Sequence, residues 1–153
     1  MLVSRNIAEW LRMLGFNHST EYCYVDCVCR CSSLPVNDAY AYNDIRGLCN
    51  QDFNDMDADE AYDLIRKHCV FALSVIDAWL WLYRNRQLFI SLTVYAGVDA
   101  DVFRVKPVMC NGSSFPLDYE DIKDSDPEKA LYKTMEWMAD NKFIFGNLKK
   151  DEQ

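Results

Sequence analysis

Leu88, Ile90, Leu92, Val94 and Ala96 alternate without a break with Phe89, Ser91, Thr93 and Tyr95. Successive side chains on a strand point to opposite faces, so this run predicts a strand whose register cannot slip without turning its apolar set to solvent. Beyond turn residues Gly97 to Asp101, a weaker alternation runs from Val102 to Met109, with Phe103, Val105 and Pro107 set against Arg104 and Lys106. Together they predict a β-hairpin near 88–109. Pro107 has no N–H to give to a ladder, so the second strand is expected at a sheet edge. A hairpin of this kind must cover its apolar face with another layer.

Helices are expected to supply that layer. Ile7, Trp10, Leu11 and Leu14 recur at helical spacing, which predicts a helix over 5–14 that stops at Gly15. Asn6 and Glu9 fit a capping box, and Ser4 fits a cap one turn earlier. A short helix over 38–48 would turn Tyr42, Ile45 and Leu48 inward. The longest apolar block, Cys69 to Tyr83, reads with its flanks as one long helix from about Asp59 to Arg84. At 100° per residue, Glu60, Asp63, Arg66, Lys67, Ser74, Asp77 and Arg84 fall within an arc of roughly 120°, with Val70 and Trp81 on the same stripe. This predicts a central helix, largely buried, with one narrow wet face.

Near the other end, Ser125 or Asp126 caps a last helix, with Pro127 in its first turn and Glu128 complementing its dipole. Leu131, Met135 and Met138 form its buried face. Phe143, Ile144 and Phe145 are expected to fold back on the core, and Lys149 to Gln153 to form a loose tail. Five Gly and four Pro among 153 residues favour helices over turn-rich β architectures. The expected class is α+β: a single compact domain over 1–148, with about four helices packed on a small, mostly antiparallel sheet.

Four of the seven cysteines crowd into Cys23-Tyr-Val-Asp-Cys27-Val-Cys29-Arg-Cys31. As a strand, Cys23, Val25, Cys27, Cys29 and Cys31 share one face. As a helix, Asp26 and Arg30 form an ion pair at i, i+4. Regular alternation favours the strand. Structural zinc is held by ligands arriving from two directions, whereas these thiols on a strand would lie in a row spanning roughly 27 Å. On a helix, Cys23, Cys27 and Cys31 would share a face that His18, Cys49 or His68-Cys69 could complete as a metal site. Free cysteine otherwise packs as a small hydrophobe, and core packing is the expected role. With an odd cysteine count, and with Glu9 and Arg12 interrupting the N-terminal apolar stretch, a reducing cytoplasm is expected rather than a disulfide framework.

The net charge of −8 disfavours direct binding to nucleic-acid phosphates or anionic membranes. No stretch is long and apolar enough to span a bilayer. Asp55-x-Asp57-x-Asp59 opens like a calcium loop, but Glu60 stands where a glycine must turn the chain and Arg66 where a bidentate glutamate is needed. His68 and Cys69, as helical neighbours, point about 100° apart and form no ready dyad. No phosphate loop, dinucleotide fingerprint, nucleophile elbow or zinc-protease motif occurs. A non-enzyme without cofactor is expected.

What stands out is acidity in clusters. Asp52, Asp55, Asp57, Asp59, Glu60 and Asp63 lie in a stretch with no Lys or Arg. Asp118, Glu120, Asp121, Asp124, Asp126 and Glu128 follow the same pattern against Lys123 alone. Phe53, Tyr62, Phe115 and Tyr119 are interleaved, so such segments offer steering charge and aromatic anchors to a basic protein. The sequence therefore points to an acidic interaction module, an inhibitor or immunity-type nucleic-acid mimic of the size of small phage or mobile-element proteins. Its expected contacts are Asp52, Phe53, Asp55, Asp57 and Asp59, then Tyr119, Glu120 and Asp121. The alternatives are a small cysteine-rich zinc or redox domain, and an acidic chaperone-like adaptor dimerising through Trp79, Trp81 and Tyr83. Both monomer and homodimer suit the composition.

Overall fold

In the computed structural model, residues 1–25, 35–45, 57, 59–60, 63, 67–96, 102–109 and 122–142 are described. The chain gathers into two compact units, one of Leu2–Leu73 and one of Met1 with Ser74–Gln153. The α+β class holds: helices accompany two three-stranded antiparallel sheets, where the sequence suggested one.

In the Leu2–Leu73 unit, helix α1 (Arg5–Met13) is capped by Ser4, whose hydroxyl accepts from the Ile7 N–H at 3.2 Å. Ser4, not the Asn6–Glu9 box, is thus the cap. Ile7, Ala8, Trp10 and Leu11 are buried, as the spacing requires, and the chain leaves the helix through Gly15 at φ +112°, a region L side chains avoid. Strand β1 (Tyr22–Val25) lies between β2 (Ala39–Ala41) and β3 (Cys69–Ala72). Cys23 stands opposite Tyr40 and Phe71, and Tyr24 opposite Ala39 and Val70. The Tyr24 hydroxyl donates to the Val3 carbonyl at 2.6 Å, and Val3 N–H to the Leu73 carbonyl at 2.9 Å. The Arg5 guanidinium donates to the carbonyls of Val25 and Val36, tying α1 to the end of β1 and the approach to β2.

The long central helix is not formed. Residues 59–60, 63 and 67 are helical, but Cys69–Ala72 is strand, every residue of it buried. Val70, expected on a wet stripe, is 0 % exposed. A short strand buried on both faces carries no alternation, so its apolar run is indistinguishable by period from a buried helix. The short helix expected over 38–48 begins later, at residue 42, because Ala39–Ala41 pair with β1. Tyr42 and Ile45 are buried as expected. For the cysteine-rich run, the strand holds over Tyr22–Val25, while Cys27, Cys29 and Cys31 lie outside the described residues.

In the second unit, Ser74 marks a true helix start. Its hydroxyl accepts from the Asp77 N–H at 3.1 Å and opens α2 (Val75–Arg86), with Asp77 in the first turn and Arg84 and Arg86 in the last, the order that complements the dipole. Gln87, at φ 56°, turns the chain into β4 (Leu88–Tyr95). β4 pairs along its whole length with β5 (Val102–Met109), from Leu88 opposite Met109 to Tyr95 opposite Val102, so the hairpin at 88–109 is formed. Strand β6 (Ile122–Asp124) adds to the other side of β5. β5 is therefore the middle strand, not the edge expected from Pro107. The proline is tolerated because β6 pairs only with Phe103 to Val105, leaving the Pro107 end of β5 without a partner on that side among the described strands.

Helix α3 (Pro127–Asp140) packs on β5 and β6, and α2 on β4 and α3. Asp126 caps α3, accepting from the N–H groups of Glu128 and Lys129 at 2.9 and 3.4 Å, with Pro127 at the start. Leu131, Met135 and Met138 are buried as expected, together with Ala130, Ala139 and Thr134. The Thr134 hydroxyl is satisfied by the Ala130 carbonyl at 2.9 Å. Leu88, Ile90 and Val105 complete this core, while Val94 on the same face of β4 is 54 % exposed, where the covering layer has run out. Phe143, Ile144, Phe145 and the tail 149–153 lie outside the described residues.

Candidate functional site

Of the acidic segment at 50–63, the structure describes Asp57, Asp59, Glu60 and Asp63, and all four are exposed. Asp59, Glu60 and Asp63 are helical, so i and i+3 or i+4 neighbours stack their carboxylates along one side. None of the four takes part in an ion pair among the described residues. Asp52, Phe53, Asp55, Tyr119, Glu120 and Asp121 lie outside the described residues.

The described part of the second acidic segment has local work. Asp124 accepts from Lys133 Nζ at 2.6 Å and from the Asp126 N–H at 2.9 Å, Asp126 caps α3, and Glu128 sits in its first turn. Lys133 is a partner that sequence reading missed, since nine residues and a change of element separate it from Asp124. Lys133 first, then the Asp126 N–H, hold the Asp124 carboxyl below the usual carboxylate range. A pKa lower folded than unfolded means the group stabilises the fold at neutral pH. That contribution starts to fade as pH falls to the ordinary value and is gone below the depressed one. Asp124→Asn should remove it, so the variant should lose less melting temperature than the wild type between about pH 6 and about pH 3. Equal losses on acidification would show that this pair does not couple protonation to folding.

The thiols meet in an unforeseen way. Cys23 and Cys69 lie on neighbouring strands, one step apart on a shared face, because Cys23 pairs with Phe71 and Val25 with Cys69. Neither is in a disulfide, and both are buried. A hydrogen bond to Cys23, then burial, push the Cys69 thiol well above its usual range. His18, expected as a possible fourth ligand, stacks edge-on against Phe16 at 5.6 Å between ring centres. Cys27, Cys31 and Cys49 lie outside the described residues. Among the described residues, no three His, Cys, Asp or Glu side chains converge as a metal site would require.

No family model matches the chain, and comparison with curated proteins and with solved structures finds no match. Its function must be argued from its own surfaces.

On α2, Tyr83 is exposed, Trp79 and Trp81 are half-buried, and Ile76 is exposed beside them in sequence. Among the described residues no helix is long and apolar enough to cross a membrane. A second feature escaped sequence reading altogether. Arg12 and Asn17, at and beyond the end of α1, meet Lys67, Cys69 and Phe71 around a cleft of about 150 Å³ floored in part by Phe16. Residues 12–17 and 67–71 are some fifty positions apart, and no local pattern links them.

Proposed function

We propose that this chain is a non-catalytic acidic interaction module, an inhibitor or immunity-type protein that covers a basic surface of a nuclease or nucleic-acid-binding partner. The observation that carries this reading is the exposed set Asp57, Asp59, Glu60 and Asp63, which has no cation paired to it among the described residues. Within a chain of net charge −8, carboxylates with no cation paired to them among the described residues create a local negative field. Such a field speeds encounter with a basic patch and rejects acidic partners. Asp52, Phe53 and Asp55 extend the set on one side in sequence. Tyr119, Glu120 and Asp121 form the secondary contact, where the tyrosine ring would supply the anchoring area that charge alone does not.

The reading is tested by capture from lysate at low salt, with the wild type and the triple variant Asp57→Lys, Asp59→Lys, Glu60→Lys. The wild type should retain basic nucleic-acid-binding proteins, and added duplex DNA should release them. The variant should retain at least about tenfold less, because steering between opposite charges is turned into repulsion. Undiminished capture by the variant, or retention that DNA does not compete, would sink the proposal.

A redox role for the cysteines has one observation in its favour, the adjacency of Cys23 and Cys69 on neighbouring strands. The raised pKa of Cys69 argues the other way, since thiol exchange proceeds through the thiolate and reactive cysteines have lowered values. The acidic module is the preferred reading.

A further inference from the structure

We infer that the cleft bounded by Arg12, Lys67 and Phe71 in the Leu2–Leu73 unit is a binding site for a monocyclic aromatic carboxylate. Among the described residues, Arg12, Phe16, Asn17, Lys67, Cys69 and Phe71 line the cleft, and none of these is acidic. Two cations thus face one small space in a protein whose net charge is −8. Neither makes an ion pair among the described residues, and Glu9, one turn before Arg12, is engaged by Arg5 at 3.6 Å. The Cys69 thiol, raised by Cys23 and by burial, stays neutral and adds no negative charge.

The floor is apolar and fixed. Phe16, Cys69 and Phe71 are each buried to more than nine-tenths, yet each borders the cleft. Cys69 and Phe71 are two apart on β3 and so share a face of the sheet. Phe71 is held edge-on by Tyr42 at 4.9 Å, and Phe16 meets His18 in the same manner at 5.6 Å. Rings braced in this way give edge or face contacts to an incoming ring without ordering first. Arg12, Asn17 and Lys67 are exposed, which leaves the cleft open on their side.

Size then selects the ligand. A cavity of about 150 Å³ lined by apolar groups is the volume that takes up one benzene ring. It is too small for a nucleotide, whose sites are several times larger. A bare phosphate would satisfy the two cations but leave the aromatic floor uncovered. An uncharged ring would do the reverse. A ring bearing a carboxylate meets both, with its planar anion matched to the fork of the Arg12 guanidinium and its second oxygen within the field of Lys67. None of these lining residues belongs to the proposed interaction surface, and different variants and probes test the two readings, so they stand or fall separately.

Benzoate is the probe, titrated into the full chain and followed by NMR shifts of the Phe16 and Phe71 ring protons. With about nine non-hydrogen atoms it should bind with Kd on the order of 1 mM. Acetate, inorganic phosphate and benzyl alcohol should each bind at least tenfold more weakly. Arg12→Gln and Lys67→Gln, both exposed positions whose replacement should leave the fold's circular dichroism intact, should each weaken benzoate about five- to tenfold, and the double variant should show no saturable shift. The inference is overturned if benzoate produces no saturable shift up to about 20 mM. It also fails if phosphate matches benzoate (a simple anion site), if benzyl alcohol matches it (an apolar slot), or if the double variant binds as the wild type does.

Discussion

Replacing Val70 by Asp should unfold the Leu2–Leu73 unit, at a cost of at least about 4 kcal/mol. Val70 is fully buried in β3, opposite Tyr24 of β1. A carboxylate there has no solvent, so it must either stay charged and unpaired or take up a proton, and both cost heavily in a low-dielectric interior. The two views of this segment part on this substitution. Read as a continuous helix from Asp59 to Arg84, the segment puts Val70 beside Lys67, Ser74 and Asp77 on its wet stripe, where Asp would be harmless. Val36→Asp is the control, since Val36 is 54 % exposed and a surface change of this kind shifts stability by about 0.5 kcal/mol or less. Urea unfolding followed by circular dichroism reads both. A Val70→Asp variant with a wild-type midpoint would refute the strand at Cys69–Ala72.

The second large effect is expected at Leu82, which is 0 % exposed on the inner face of α2. Leu82→Ala should cost about 2–5 kcal/mol through lost transfer free energy and the cavity left behind. Its neighbour Tyr83 is 50 % exposed, and Tyr83→Ala should change stability by no more than about 1 kcal/mol. Composition cannot make this distinction, because Val75-Ile-Asp-Ala-Trp-Leu-Trp-Leu-Tyr83 is apolar nearly all the way round. Equal losses at the two positions in thermal melts would mean that α2 is rotated from the orientation described, or buried on every side.

Where sequence reading succeeded, one local period was enough. The hairpin of β4 and β5 was legible because β4 alternates apolar and small or polar residues over its full length. The first and last helices were legible because Ile7, Trp10 and Leu11, and Leu131, Met135 and Met138, recur at helical spacing behind Ser4 and Asp126 caps. It failed where burial erased the period. β3 is covered on both faces, and Cys-Val-Phe-Ala then reads as a continuation of the apolar run in α2. Ser74 carried the missing signal: a hydroxyl followed three residues later by Asp77 was a helix start inside the supposed helix. Pro107 misled for a related reason, since the number of strands beside β5 changes along its length.

Of the candidate surfaces, the acidic residues were legible as charge, and Asp57, Asp59, Glu60 and Asp63 are exposed as a solvated anion must be. The pairing of Asp124 with Lys133, the contact of Cys23 with Cys69, and the cleft of Arg12, Lys67 and Phe71 were not legible at all. Each joins residues from different elements, consecutive ones for Asp124 and Lys133 and distant ones for the thiols and the cleft.

The α+β class, the hairpin, the first and last helices and a negative surface field were thus readable from the chain alone. These follow from side-chain period, capping chemistry and net charge, all of which act over a few residues or over the whole molecule. That residues 69–72 form a strand between two helical stretches, that one thiol lies against another, and that two cations share one aromatic-floored cleft emerged with the folded chain alone. Those depend on strand register and on which faces meet, and a register is a relation between distant segments that no single segment carries.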